Sequence, residues 1–493
     1  MDRILRELRE NQNIRTNLSD LRKAIKAEDA KAYVLAEVSK AEALYLGFLQ
    51  SEDAKTRKNA ALLLGDLEYQ NAATALYETY AKETTLFVRA AYLQALANLN
   101  VEDKLDALKE QLRELQSKEV TVENRKHTEE EIRALRDIII GYEGIHRHTA
   151  DIKGKEVKVI LLTNKSQRET VRRTISCGTA TVHPLGVEVV TENLSELLEL
   201  RTYREILFPL QTKGFLPAEP VACATAIWDS DMLGLLNGLH KEQGEYYFRI
   251  ECKNALSLEE RSTFTKKLAA ELERLSGGNL INSTSDYEVE LRLIANKDGE
   301  YFGALSLATI KSDRFAYRKN VIATSIHPST AALIMEIASP YLKENAQIMD
   351  PFCGVGTMLI ERDERVPARE MYGTDIFGDA IIFARENTQK AKKKINYIHR
   401  DFMDFKHDYL FDEIVTNMPL RGKKSKQEMD DFYRDFFEKA KEILAKEAIL
   451  VMYTNEIGFV KKQLRLHKEY SLLQETCLQA KNDFYLLILS YKG

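Results

Sequence analysis

The chain has 493 residues, of which 44% are hydrophobic and 30% charged. This balance is typical of a globular protein and excludes a disordered, collagen-like or membrane-spanning chain, and the length suggests roughly three domains. The formal net charge is −5, and none of the three thirds of the chain is basic, so overall charge gives no support for a nucleic-acid partner.

The cysteines and the first residues indicate the cellular compartment of the protein. Five cysteines are scattered along the chain without a CxxC pair, which argues against a disulfide framework and against a zinc site. The charged start MDRILRELRE does not resemble a secretory signal. We therefore expect a cytoplasmic protein with no metal site and no membrane contact.

The first part of the chain, residues 1–150, is predicted to be helical. It contains no proline up to about residue 140, and leucines recur at helical spacing. Two segments, TRKNAALLLGDL and FVRAAYLQALANL, match each other so that Arg57 corresponds to Arg89. They resemble the HEAT-like helical repeat family, which implies stacked helical hairpins suited to a protein partner. After the last helix, His146 and His148 are interpreted as solvated loop histidines.

The middle of the chain alternates predicted strands and helices. Residues 151–215 contain the strand VKVILLT, the helix QRETVRRTIS, the strand GVEVVTE and a helix running into the strand of REILFPL, which together indicate a ferredoxin-like half. Residues 216–312 contain the strand EYYFRIECK, the helix SLEERSTFTKKLAAELERL and a hairpin that turns at Asp298-Gly299.

This second set resembles the THUMP domain in its FRIECK strand, its long amphipathic helix and its final hairpin. The resemblance implies docking on the acceptor end of a structured RNA, usually tRNA. Basic side chains supply the candidate phosphate contacts. They are Arg292, Lys311, Arg314, Arg318 and Lys319. The alternative is that these residues form an ordinary solvated basic turn.

Residues 313–493 read as repeating β–α units, which predict a doubly wound, mostly parallel sheet. The tail segments YSLLQETCL and DFYLLILSY are predicted to add an antiparallel hairpin, giving a mixed seven-stranded sheet. The whole chain is thus expected to be multidomain, with an α-helical part, an α+β middle and an α/β C-terminal domain.

A glycine-rich loop, Asp350-Pro351-Phe352-Cys353-Gly354-Val355-Gly356-Thr357, follows the first strand of this domain. Such a turn lets a ligand approach bare backbone, and the next helix begins with free N–H groups. Leu359 stands where dinucleotide-binding loops have a third glycine, which disfavours nicotinamide binding. Asp375 and Asp401 follow the next two strands, suited to ribose hydroxyls and an adenine amino group. Cys353 is interpreted as a small buried filler.

The segments DPFCGVGT, GTDIFGDAIIFARENT and RDFMD resemble the S-adenosylmethionine-binding core of Rossmann-type methyltransferases. Among these, DPFCGxGT is similar to RNA guanosine-N2 methyltransferases that carry THUMP domains. The resemblance implies S-adenosyl-L-methionine as cofactor. The implied cofactor-binding residues are Asp350, Phe352, Gly354, Gly356, Thr357, Asp375, Ile376, Asp401, Phe402 and Asn417.

The fourth strand ends in Asn417-Met418-Pro419-Leu420, where this family carries Asn or Asp, two prolines and an aromatic residue. Asn417 and Pro419 are the predicted catalytic residues, because an amide oxygen and a fixed carbonyl can orient an exocyclic amine. Loss of the aromatic ring would weaken base capture by about 1–3 kcal/mol. The predicted substrate-binding residues are Leu420, Arg421, Lys423 and Arg318.

The leading hypothesis is an S-adenosylmethionine-dependent RNA methyltransferase that acts on the exocyclic N2 amine of a guanosine in tRNA or another structured RNA. Two alternatives remain open. One is a weak or inactive RNA-binding adaptor, because Met418 and Leu420 depart from the family pattern. The other is a protein amide or amine N-methyltransferase, because the Asn-x-Pro geometry suits any planar nitrogen and helical repeats bind protein partners.

Overall fold

The computed structural model of the chain describes residues 1–117, 124–254 and 256–493. The chain divides into two compact units, Met1–His146 and Arg147–Gly493. Within the described ranges, every helix is too short or too polar to cross a bilayer.

The first unit is built from helices, as predicted. Those that the structure describes are α1 (Asp2–Arg9), α2 (Ile14–Ala24), α3 (Glu28–Lys40), α4 (Glu42–Gly47), α5 (Ala54–Asp66), α6 (Ala73–Lys82), α7 (Leu86–Leu96), α8 (Leu105–Ser117) and α9 (Arg125–Glu143). Their apolar faces form one core of mainly leucine, alanine and tyrosine side chains. The helical content is confirmed, and the HEAT-like resemblance stays a prediction.

The two matched segments form α5 and α7, which pack closely together. A Cβ added at Gly65 would lie 2.4 Å from the Ala95 Cα, so only glycine permits this approach. The corresponding arginines each bind a buried carboxylate. The Arg57 Nε lies 2.8 Å from the Glu83 Oε2, and the Arg89 Nη2 lies 2.7 Å from the Glu131 Oε1.

The second unit begins with an α+β region that contains both halves predicted for the middle of the chain. Its elements are β1 (Val157–Leu162), α10 (Arg168–Arg173), β2 (Thr179–His183), β3 (Gly186–Thr191), α11 (Leu194–Glu199), β4 (Glu205–Pro209), α12 (Pro220–Trp228), α13 (Met232–Leu239), β5 (Tyr246–Lys253), α14 (Leu258–Leu275), β6 (Leu280–Asn282), β7 (Val289–Ala295) and β8 (Tyr301–Leu307).

These strands form one eight-stranded sheet in the order β2-β3-β1-β4-β8-β7-β5-β6. Strand β4 joins the two halves through its antiparallel pairing with β8, where Phe208 lies opposite Leu305. The predicted hairpin is formed by β7 and β8. Helix α14 begins at a capping box in which Ser257 and Glu260 satisfy each other's backbone N–H groups.

The interpretation of His148 as a solvated histidine was wrong. His148 is buried, its Nδ1 lies 2.8 Å from the Glu288 Oε1, and its ring stacks on Tyr246 at 4.0 Å. The carboxylate partner directly precedes β7, far along the chain, so local sequence around the histidine gave no indication of it.

The C-terminal sheet has the predicted Rossmann-type architecture. Its elements are α15 (Pro328–Ala338), β9 (Gln347–Asp350), α16 (Thr357–Arg365), β10 (Glu370–Asp375), α17 (Gly378–Lys390), β11 (Asn396–His399), β12 (Phe411–Asn417), α18 (Lys426–Ile443), β13 (Leu444–Thr454), α19 (Ile457–Leu466), β14 (Tyr470–Gln479) and β15 (Phe484–Tyr491). The strand order is β11-β10-β9-β12-β13-β15-β14, and β15 runs antiparallel to both of its neighbours. The predicted mixed seven-stranded sheet is confirmed.

Candidate active site

The candidate site lies where three neighbouring parallel strands end. Strand β9 ends at Asp350, β10 at Asp375 and β12 at Asn417, and β9 lies between the other two. The chain reverses its direction of winding beside β9, and open α/β sheets bind ligands at the carboxyl ends of strands at such a point. The topology therefore brings together three of the predicted site residues.

The glycine loop after β9 is held by the carboxylate of the next strand. The Gly354 N–H donates to the Asp375 Oδ2 at 2.9 Å, and the Phe377 N–H donates to its Oδ1 at 2.9 Å. Gly356 has a φ of +84°, and a Cβ there would lie 2.2 Å from the Tyr397 hydroxyl oxygen. At Gly354, with a φ of +51°, a Cβ would meet no atom of the described residues within 4 Å. The loop thus packs tightly at Gly356 and leaves open space at Gly354.

Asp350 is fully buried at the end of β9. Its Oδ1 accepts a hydrogen bond from the Phe352 N–H at 3.1 Å. Burial raises the pKa of Asp350 to about 7. Thr416 adjoins Asp350, but neither its hydroxyl nor the Asp350 Oδ2 completes a hydrogen bond of ordinary geometry with the described residues. The Thr357 hydroxyl is also buried and has no hydrogen-bond partner among the described residues.

At one sheet edge, buried polar atoms of Asp350, Thr416 and Thr357 thus lack hydrogen bonds of ordinary geometry with the described residues, which suits a ligand that supplies donors and acceptors there. S-adenosylmethionine carries an ammonium group and a carboxylate on its methionine end, which suit the Asp350 carboxyl and the N–H groups at the start of α16. Its ribose hydroxyls suit the half-buried Asp375. The residues present therefore fit this cofactor.

The far side of the site has an exposed apolar pair. Ile376 is 58% exposed and Phe377 is 64% exposed, directly after Asp375. Asp401 is also exposed, and its Oδ1 accepts from the Met403 N–H at 2.9 Å. Apolar side chains next to polar acceptors suit a flat aromatic base such as adenine.

Two of the predicted cofactor residues have aromatic rings within the packed core. Phe402 is 1% exposed, and its ring centroid lies 6.0 Å from that of the half-buried Phe352. Phe352 also packs on Phe432 and Phe436 of α18. These rings fix the shape of the glycine loop from behind, so a contact of Phe402 with a ligand is left to its backbone.

The predicted catalytic turn leaves β12 at the same edge. The Asn417 side chain is half-buried and engages no partner among the described residues. Met418 is 1% exposed, and its N–H donates to the Tyr453 carbonyl at 2.9 Å. A proline could not make that hydrogen bond. The turn is therefore held by a backbone hydrogen bond at the position where the methyltransferases that it resembles have their first proline. Leu420 is 48% exposed beyond the half-buried Pro419.

The predicted substrate-binding cations lie in two segments. Arg421 and Lys423 are exposed directly after Leu420, and the Arg421 Nε donates to the Lys424 carbonyl at 3.0 Å. Arg318 is half-buried and lies before α15. Arg292 is not free for a phosphate, because its guanidinium binds the carboxylates of Glu205 and Glu290.

Asn387, on α17, is a site residue that the sequence reasoning missed. It is fully buried, and its Oδ1 accepts from the N–H groups of Lys319 and Asn320, each at 3.0 Å. Its Nδ2 donates to the carbonyls of Asn320 and Val355, at 3.0 and 3.2 Å. Asn387 therefore ties the segment that carries Arg318 to the glycine loop. The only sequence signal was a polar residue at a position of α17 that helical spacing places on its buried face.

Cys353 is buried against Gly373, and burial raises the pKa of its thiol, so it suits the predicted role of a filler. No group of three or more His, Cys, Asp or Glu side chains in the described part of the chain is arranged to hold a metal ion.

Comparisons with known proteins fit this geometry. Residues 316–472 match the family model described as RMKL-like, methyltransferase domain. This match runs from before α15 to the start of β14. Over 155 residues the chain is 26% identical to a tRNA (guanine(10)-N2)-dimethyltransferase of Methanothermobacter thermautotrophicus, and that match covers 30% of this chain and 45% of the relative. The chain thus matches less than half the length of this curated relative.

A match to a solved structure covers more of the chain than residues 316–472. The crystal structure of TrmN from Thermus thermophilus matches with a TM-score of 0.51 and 18% identity, covering 68% of this chain and 99% of that one. This likeness shows a shared fold.

Proposed function

We propose that the protein is an S-adenosylmethionine-dependent RNA methyltransferase that methylates the exocyclic N2 amine of a guanosine in tRNA. The observation that carries the proposal is the unpartnered Asn417 amide at the end of β12, beside the glycine loop and the buried Asp350. The relative that acts on a tRNA guanine N2 supports the choice of base and RNA.

The cofactor would supply an electrophilic methyl group on a positively charged sulfur. Asp350 and the start of α16 would hold its methionine end, and the open space at Gly354 would let it lie against bare backbone. Asp375 would accept hydrogen bonds from its ribose, and Ile376 would cover one face of its adenine. Asp401 would accept from the adenine amino group.

Asn417 and the turn after it would orient the acceptor. An exocyclic amine is a poor nucleophile because its lone pair is delocalised into the ring. The Asn417 Oδ1 accepts one N–H, and a backbone carbonyl near Pro419 accepts the other, which turns the nitrogen lone pair towards the methyl group. The cofactor sulfur would be the leaving group for the methyl, and the methylated amine would lose its extra proton to water. An amide cannot take up this proton, so Asn417 acts by orientation.

Leu420 and the basic residues after it would hold the substrate around the reacting base. The exposed Leu420 side chain offers apolar contact to a flipped-out base in place of the family's aromatic ring. Arg421 and Lys423 would neutralise phosphates beside it. The α+β region would dock the RNA as a THUMP domain does, and the helical first unit would bind a protein partner. A cytoplasmic location suits a tRNA substrate.

The proposal is tested by incubating the full chain with unmodified tRNA and S-adenosylmethionine that carries a labelled methyl group, followed by nucleoside analysis. Label in N2-methylguanosine is the expected result. In parallel, the chain is incubated with the same labelled cofactor and an RNase-treated lysate, in which protein but not RNA can accept the methyl group.

Two results would overturn the proposal in different ways. Label in protein of the RNase-treated lysate, with none in tRNA, would identify a protein N-methyltransferase. Tight cofactor binding with no transfer to any RNA would identify an adaptor.

A further inference from the structure

A group of basic side chains surrounds the ring of Phe315, between the α+β region and the methyltransferase domain. The Cζ atoms of Arg201 and Arg314 each lie 4.9 Å from the Phe315 centroid, and the His327 ring lies 6.3 Å from it. We call this group the Phe315 cluster and include in it Arg204 and Arg318, whose charges act on His327.

One arginine of the cluster is neutralised. The Arg201 guanidinium binds the Glu361 carboxylate through two hydrogen bonds, at 2.8 and 2.7 Å. The Tyr317 hydroxyl donates to the same carboxylate at 2.6 Å. Glu361 is buried and forms its ion pair with Arg201, while its charge also acts on Arg314.

Arg314 has only uncharged acceptors. Its Nη1 donates to the Leu200 carbonyl at 2.6 Å and its Nη2 to the Arg204 carbonyl at 3.0 Å. Its Cζ lies 3.7 Å from the centroid of the Tyr203 ring. Arg314 therefore fixes the backbone that carries Arg204 and keeps its own charge.

Arg204 and Arg318 form no ion pair with any described residue. The Arg318 Nε is buried and has no hydrogen-bond partner, whereas Arg204 is exposed. The neighbouring Lys319 does have a carboxylate, that of Glu386, at 3.5 Å. Burial, and then the charges of Arg318, Arg204 and Arg314, lower the pKa of His327 to about 4. Arg204 and Arg318 thus both lie near His327, and neither has a carboxylate at ion-pair distance among the described residues.

A buried guanidinium donor without an acceptor costs free energy, which a bound anion would recover. We propose that Arg204 and Arg318 bind one backbone phosphate of the RNA, with Arg314 as the residue that positions Arg204. Arginine suits this ligand because its planar donors match phosphate oxygens. This inference rests on the proposed RNA substrate.

The position of the site connects phosphate binding to the cofactor loop. Arg318 directly precedes Lys319 and Asn320, whose N–H groups donate to Asn387, and Asn387 donates to the Val355 carbonyl. A phosphate held by Arg318 would therefore fix the RNA strand to the same buried network that holds the glycine loop.

The test measures tRNA binding by the full chain over a series of salt concentrations. The variants are Arg204→Ala and Arg318→Gln, and the matched control is Arg365→Ala, which removes an exposed arginine already paired with Glu336. Each test variant should weaken tRNA binding about five- to tenfold near physiological salt and reduce the slope of log affinity against log salt by about 0.7–0.9. Arg365→Ala should leave both quantities nearly unchanged.

Cofactor affinity is measured on the same samples and should stay at the wild-type value, which shows that each variant is folded. Wild-type tRNA affinity and slope in both test variants would overturn the inference. Binding of inorganic phosphate is measured on the same variants. Loss of phosphate binding with unchanged tRNA binding would also overturn the inference, because it would identify a site for a small anion. If the arginines control tRNA binding while no tRNA is methylated, the proposed function fails and the phosphate site stands.

Discussion

Arg57 and Arg89 of the helical first unit differ from Arg318 of the Phe315 cluster in whether their guanidinium groups have charged partners. In the helical first unit, Arg57 and Arg89 each bind a buried carboxylate, those of Glu83 and Glu131. In the Phe315 cluster, the buried Nε of Arg318 has no hydrogen-bond partner among the described residues. A paired charge of this kind fixes one packing arrangement, whereas an unpaired one costs stability unless a ligand binds.

The same contrast exists inside the C-terminal α/β region. Arg362 and Glu413 form a completely buried ion pair behind the sheet edge, at 2.7 Å. At the edge itself, Asp350 and Thr416 leave polar atoms unsatisfied. Groups with partners should therefore control stability when they are changed, and groups without partners should control binding and turnover.

The largest effect is expected from Glu131→Ala in the first unit. The change leaves the half-buried Arg89 and the Tyr80 hydroxyl without their shared acceptor, which should lower the free energy of unfolding of this unit by about 3–5 kcal/mol. Urea unfolding measures this, with Glu110→Ala as the control, because Glu110 belongs to an exposed ion pair with Arg113. Equal stability of the two variants would show that the buried ion pair of Arg89 and Glu131 does not control the stability of the first unit.

Asn387→Ala should affect both properties, because this residue has all its partners and also touches the glycine loop. Leaving the Val355 carbonyl without its donor costs about 1–3 kcal/mol. We expect lower stability and about tenfold weaker cofactor binding, measured by calorimetry. The exposed Asn396→Ala is the control. Unchanged cofactor affinity would show that Asn387 has a purely structural role.

The pH dependence of cofactor binding tests Asp350. Its carboxyl is neutral below its pKa of about 7 and ionised above it, and the ionised form attracts the cofactor ammonium. Affinity should rise about tenfold between pH 6 and pH 8, and Asp350→Asn should abolish the rise. The stability of the cofactor-free protein should change in the opposite direction. Because the pKa of Asp350 is raised in the folded state, the free energy of unfolding should fall as the pH rises from about 4 to about 7. A flat affinity profile would contradict the assigned role.

The smallest expected effect is a gain. Leu420→Phe restores the aromatic ring of the family at a side chain that is 48% exposed, so it should leave stability unchanged and raise the apparent affinity for tRNA about fivefold. The Michaelis constant for tRNA measures this. A loss of affinity would show that the target base does not stack at this position.

Much of the fold follows from the sequence. Buried parallel strands are continuous apolar runs, and the glycine loop between AQIMD and MLIER defines where the ligand-binding edge begins. Two strands and two helices gave no such signal. The edge strand β2 has only exposed and half-buried residues, and β6 has three residues. Helices α12 and α13 are short and mostly apolar, so they lack helical periodicity.

The site was predictable only where its residues are adjacent in sequence or end consecutive strands. Asp350, Asp375 and Asn417 meet because parallel strands align their carboxyl ends. Asn387 and Glu361 depend on partners 67 and 160 residues away along the chain. The Glu361 pairing follows from the docking of the α+β region on the C-terminal region, and the Asn387 pairing from the path of the segment before α15. No local pattern encodes either.

The most direct test of the account is single-turnover methyl transfer to tRNA by Asn417→Ala beside the wild type, with cofactor affinity measured on the same samples. Removal of an orienting amide should slow transfer about 10²–10³-fold while cofactor affinity stays within about twofold of wild type. Equal transfer rates would contradict the assignment of Asn417, and a parallel loss of cofactor binding would show that it serves the cofactor alone.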